Sequence, residues 1–115
     1  MSIIYSGTDY NREIVGEFID GRIYRGFSNL RQVVGEFKNG IIYSEIGMYQ
    51  KAVGELHNGI IYRGTGWDKV EIGEYEDGKI YRGLGYSRYP IGEYEERWEN
   101  ACAAAAFLLL NELFY

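Results

Sequence analysis

At 115 residues the chain is sized for one domain, residues 1–115, and leaves no room for a second core. Its hydrophobic content of 46% is enough for a packed interior, while a net charge of −5 argues against a nucleic-acid partner. The lone Cys102 excludes an internal disulfide framework and a cysteine-based zinc cluster.

Sixteen glycines, twelve tyrosines and a single proline read as many short strands joined by tight turns. The opening MSIIY lacks the basic and long apolar regions of a secretory signal, so the expectation is a cytoplasmic chain, peripherally membrane-associated if its surface favours lipid. The first element is a strand, Ile3 to Ser6. From there the sequence repeats itself. Ile-Tyr recurs at Ile4-Tyr5, Ile23-Tyr24, Ile42-Tyr43, Ile61-Tyr62 and Ile80-Tyr81, each 19 residues after the last. Gly-Glu keeps the same step at Gly16-Glu17, Gly35-Glu36, Gly54-Glu55, Gly73-Glu74 and Gly92-Glu93.

Between the two pairs stand Asp20-Gly21, Asn39-Gly40, Asn58-Gly59 and Asp77-Gly78. Asn-Gly and Asp-Gly supply the positive φ angles of a type I′ turn, which makes each unit a β-hairpin. Looser turns join the units at Asp9 to Asn11, Ser28 to Leu30, Gly47 to Tyr49, Gly66 to Asp68 and Gly85 to Ser87. Ten strands follow. The chain opens with an Ile-Tyr strand that has no partner before it and closes with a Gly-Glu-Tyr strand, Ile91 to Glu95, that has no Asp-Gly after it. If these halves pair, they close an antiparallel meander barrel and remove both sheet edges.

Counting back from Asp20-Gly21 puts Phe18 opposite Ile23, Glu17 opposite Tyr24 and Gly16 opposite Arg25. Strict alternation then gives Phe18, Ile23 and Gly16 one face, and Val15, Glu17 and Tyr24 the other. The first is apolar, and its five glycines form a level where something can approach the wall closely.

The C-terminal segment, residues 96–115, supplies that something. Ala101 to Leu110 reads ACAAAAFLLL, apolar on every side, as in a helix buried all round. Ten residues of helix rise only ~15 Å against a hydrocarbon core of ~30 Å, so the segment is too short to span a bilayer. The expected arrangement threads this helix through the barrel from the Asp-Gly end, alanines at the glycine level, with Leu113, Phe114 and Tyr115 emerging beside the looser turns. A cap over one open end, or pairing with a second copy, fits the same pattern.

GEFKNG (Gly35 to Gly40) and GEYEDG (Gly73 to Gly78) are similar to the Gly-Glu-aromatic core of MORN repeats, without that motif's His-Gly-x-Gly part. The closer resemblance is to the bacterial β-flower family, in which IYRG and IGEYEDG units recur as in Gly78 to Gly83 and Ile72 to Gly78. It covers residues 3–95 and, by the repeat count, the five-petal form. It implies a radially arranged hairpin barrel and no particular activity. A barrel around a hydrophobic helix is also similar in architecture to the Tubby and scramblase folds, which associate with membranes.

Two sets of residues are candidates for a site. One is the cross-strand pairs Glu17/Tyr24, Glu36/Tyr43, Glu55/Tyr62, Glu74/Tyr81 and, across the closure, Glu93/Tyr5. In these the carboxylate is placed to accept the phenol's hydrogen bond; repetition in every unit reads as scaffold, although a ring of carboxylates is also a cation site. The other is a rim formed by the looser turns: Tyr10 and Arg12, Leu30 and Arg31, Met48 and Tyr49, Trp67 and Lys69, Tyr86 and Arg88. Tyr and Trp suit the membrane–water interface, Lys and Arg suit anionic headgroups, and aromatic rims also take glycans or protein partners.

His57 falls on a variable position flanking a turn, and Ser6, Ser28, Ser44 and Ser87 have no histidine in a nucleophile-like setting. Gly64-Thr65-Gly66 and Gly83-Leu84-Gly85 are turn glycines rather than phosphate loops. The reading is a non-enzymatic binding or scaffold module without a cofactor or metal. It docks on a membrane or lipid through its rim, or else on a protein or glycan.

Overall fold

The computed structural model describes residues 2–95 and 99–110. Ten strands run in order: β1 (Ser2–Ser6), β2 (Glu13–Ile19), β3 (Arg22–Arg25), β4 (Gln32–Lys38), β5 (Ile41–Ser44), β6 (Lys51–His57), β7 (Ile60–Arg63), β8 (Val70–Glu76), β9 (Lys79–Arg82) and β10 (Tyr89–Tyr94). Each pairs antiparallel with its neighbour in sequence, and β1 pairs with β10, closing the barrel. The closing register sets Ile4 against Tyr94 and Tyr5 against Glu93, as the split unit predicts.

Both residues of every Asp/Asn-Gly turn have positive φ, for example 47° at Asp20 and 82° at Gly21, as a type I′ turn requires. The carbonyl of the turn glycine is not left idle. Gly21 accepts the Phe37 amide at 2.9 Å, and Gly40, Gly59 and Gly78 do the same for Leu56, Tyr75 and Tyr94, stapling each hairpin to the next. The five looser turns are single 3₁₀ turns at the positions expected, Asp9–Asn11, Ser28–Leu30, Gly47–Tyr49, Gly66–Asp68 and Gly85–Ser87.

The interior begins with a ring of isoleucines. Ile4, Ile23, Ile42, Ile61 and Ile80 have no solvent exposure, and Phe18, Phe37, Leu56 and Tyr94 are buried beside them. Strict alternation fails one residue further on. Ile23 pairs with Gly35 but Tyr24 pairs with Val33, so Val34 is an extra residue in a β-bulge. The same shift makes Val15, Val53, Ile72 and Ile91 bulge residues. A bulge resets side-chain parity, and these residues pack against the core instead of sharing the outer face with Glu17 and Tyr24. The expectation for Val15 is corrected accordingly. The bulge carbonyls are satisfied, Val15 by the Gly26 amide at 2.9 Å and Val53 by that of Gly64 at 2.7 Å.

Helix α1 (Glu99–Leu109) fills the barrel. Four consecutive residues reach four different walls: a β-carbon added at Gly35 meets Phe107, at Gly16 Leu108, at Gly92 Leu109 and at Gly73 Leu110. These side chains leave the chain at roughly 100° intervals and reach β4, β2, β10 and β8 from inside the barrel, with the helix backbone lying nearest β1, β2 and β10. Cys102 lies beside Tyr94, two residues nearer the Asp-Gly end than Gly92, so the helix enters from that end as expected.

The fit at the glycine level is corrected. Bulky Phe107 to Leu110 meet the bare glycines. The fully buried Ala103, Ala105 and Ala106 precede them, toward the level of the large wall residues. Residues 96–98 and 111–115 lie outside the described residues, so the expected positions of Leu113, Phe114 and Tyr115 do too.

Candidate functional site

In a meander the connections alternate between ends, so the five 3₁₀ turns share one end of the barrel and the type I′ turns the other. The turns display Tyr10, Leu30, Met48, Tyr49, Trp67 and Tyr86, each between 75% and 110% exposed. The molecule measures 39 × 37 × 22 Å, a disc wider than it is tall.

The cations beside those tips do not project with them. Arg12, Arg31, Lys69 and Arg88 turn back to Glu93, Glu17, Glu55 and Glu74 on the outer wall, at 2.7, 3.2, 3.1 and 2.6 Å. Each also lies over the neighbouring tyrosine ring, from 4.1 Å to the centroid for Arg88 on Tyr81 to 5.2 Å for Arg31 on Tyr24. Gln50 takes the cation's place in the third unit and donates to Glu36; there Lys38 stands over Tyr43 at 5.1 Å and Arg22 reaches Glu36 at 4.0 Å. The structure therefore divides the expected rim, with its apolar members at the tips and its basic members folded down the wall.

The second carboxylate oxygen completes the anchor. Glu93 accepts the Asp9 amide at 3.0 Å, Glu55 that of Gly66 at 2.9 Å and Glu74 that of Gly85 at 3.0 Å, each from the first residue of a 3₁₀ turn. These amide bonds, with the cations adding to them, hold the carboxyls of Glu55, Glu74 and Glu93 below the usual range. The Glu93 carboxylate holds Arg12 more firmly protonated, and Glu76, at 2.8 Å, together with Glu74 does the same for Arg88.

The carboxylate is thus shared between loop amide and loop cation. The expected phenol-to-carboxylate bond within a pair is replaced: the Tyr5 hydroxyl donates to Glu95, at 3.3 Å, rather than to Glu93. The register of all five Glu/Tyr pairs stands as predicted.

The part that sequence reasoning missed is Gln50 and the clamp itself. The signal was present: cation or glutamine follows glutamate by 14 residues in four units, and Tyr stands midway.

Other candidates stay apart from this device. His57 is exposed and contacts Asn58 at 3.1 Å, while Ser44 is buried and bonds the Lys51 carbonyl at 3.4 Å. Burial, with Cys102 alongside, holds the Tyr94 phenol above its usual range. Open clefts lie between hairpins, one of about 510 Å³ lined by Asn39, Ile41, Glu55, His57, Asn58 and Lys69. Among the described residues no group of three His, Cys, Asp or Glu is placed to hold a metal ion, and no helix is long and apolar enough to cross a membrane. No protein-family model, no curated protein and no solved structure matches the chain.

Proposed function

We propose that the chain is a non-enzymatic binding module of the β-flower type that docks its ring of tips on a lipid surface. The carrying observation is the set of six apolar side chains on five anchored turns, all almost fully exposed at one end of the barrel. Anchoring matters because tips already fixed by hydrogen bonds lose little freedom on binding. Closure leaves no free sheet edge for strand addition. A partner that meets five separate turns at once is an extended surface, and Tyr and Trp are the side chains that favour the membrane–water interface.

Liposome flotation tests this. The wild-type chain is expected to float with phosphatidylcholine vesicles and a Trp67→Ala/Tyr86→Ala variant to stay largely behind; a wild-type chain that does not float overturns the reading. The polar cleft carrying Asn39, Asn58, Glu55 and Lys69 favours a glycan or protein partner instead. Glycan-array binding that survives loss of the tips and is abolished by Asn58→Ala supports that second reading.

A further inference from the structure

Charge on the docking end says which lipid surface it fits. The five 3₁₀ turns read DYN, SNL, GMY, GWD and GYS, so their only charged members are Asp9 and Asp68, both exposed. The cations that follow the turns sit within 2.6–3.2 Å of a glutamate oxygen. Each faces a carboxylate of opposite sign, so a distant charged surface sees little of it. Glu45, just before the third turn, adds another exposed acid, and the whole chain carries −5.

Peripheral proteins that seek anionic leaflets present unpaired Lys and Arg, each contributing attraction near the surface. For the four loop cations that contribution is cancelled by the clamps, and the exposed Arg25, Lys51 and Arg63 at the neighbouring strand ends are outnumbered by the exposed Asp9, Glu13, Glu45, Asp68 and Glu71 at the same end, while the apolar and aromatic part of the tip is left intact.

We infer that the docking end selects electrically neutral, zwitterionic headgroups, with the wall glutamates excluding anionic lipid by neutralising the loop cations. The inference rests on the lipid-docking reading and adds a selectivity to it. Binding then comes from side-chain insertion at the interface, which salt does not screen.

The experiment compares flotation of the wild-type chain on pure phosphatidylcholine vesicles and on vesicles with 30 mol% phosphatidylserine, in 50 and 500 mM NaCl. Expected are equal or weaker binding on the serine lipid and binding to phosphatidylcholine that is unchanged by salt. Binding that rises with phosphatidylserine and disappears in high salt overturns the selectivity and leaves docking standing. No flotation on either vesicle overturns docking, and the selectivity falls with it.

A Glu17→Gln/Glu55→Gln variant sharpens the result. Glutamine keeps an acceptor for the loop but frees Arg31 and Lys69, so binding to the serine vesicles is expected to rise by roughly fivefold per freed cation at low salt. A variant that is folded by circular dichroism at the assay temperature and shows no such rise overturns the role given to the glutamates.

Discussion

The two faces of the barrel wall solve different problems. Outside, one device recurs: a glutamate, a tyrosine seven residues on and a cation or glutamine seven further. Inside, the repeating isoleucine and glycine levels surround a helix that has no such repeat, and four successive side chains, one phenylalanine and three leucines, meet equivalent glycines. A repeated wall tolerates an unrepeated plug because glycine imposes no side-chain shape on what lies against it. Stability is therefore concentrated inside, while the outer clamps hold the tips in position.

That division is broken most strongly from the inside. Ile61→Ala removes a side chain with no exposure and is expected to lower unfolding free energy by about 2–5 kcal/mol in urea titration. Gly16→Ala is expected to cost about 1–3 kcal/mol by overpacking, since the new methyl collides with the Tyr24 carbonyl and Leu108. A Gly16→Ala variant as stable as the wild type would show that the helix does not fill the barrel.

Acid and alkali separate the two faces. The folded carboxyls of Glu55, Glu74 and Glu93 titrate low, so their stabilisation is complete above the ordinary carboxylate range. It is lost as pH falls through the depressed folded values. Tyr94 titrates high when folded, so its contribution is present below the ordinary tyrosine range and lost as pH rises beyond it. Melting followed by circular dichroism is expected to fall at both extremes. Mobility of the tips, read from fluorescence anisotropy at Trp67, is expected to rise on the acid side.

Glu17→Gln breaks a single clamp and is expected to cost about 1 kcal/mol; Glu36→Gln, whose loop partner is already the neutral Gln50, is expected to cost less. The smallest change is a gain. Glu45 has φ of 60° where Gly7, Gly26, Gly64 and Gly83 occupy the equivalent position. Glu45→Gly is expected to raise stability by about 0.5–1 kcal/mol, the relief of left-handed strain less the added chain entropy.

The hairpins, the five 3₁₀ turns and the closing register were legible because Asp/Asn-Gly fixes turn type locally and the 19-residue step fixes everything else. The inward turn of Val15 and its equivalents was not. A bulge is a property of pairing between two units, and counting along one strand does not contain it. Arg12, Arg31, Lys69 and Arg88 looked like rim charges because sequence neighbours of exposed tips are easily assumed to share their exposure. Their glutamates lie 14 residues back or, for Arg12, across the closure.

The seam between β1 and β10 has a consequence for how the molecule is made. Every other ladder joins strands adjacent in sequence, whereas Ile4 must find Tyr94, and Glu95 must return its amide to Ile3 at 3.1 Å. Synthesis runs from the first residue to the last, so a growing chain can lay down nine strands as an open, curling ribbon and cannot lock them. The helix that lies inside the ring follows the tenth strand, so it too is made only after the ribbon is complete. Nascent ribbon with two bare margins is the state in which neighbouring ribosomes' products would cross-pair, and the ring ends that exposure only on its final stave.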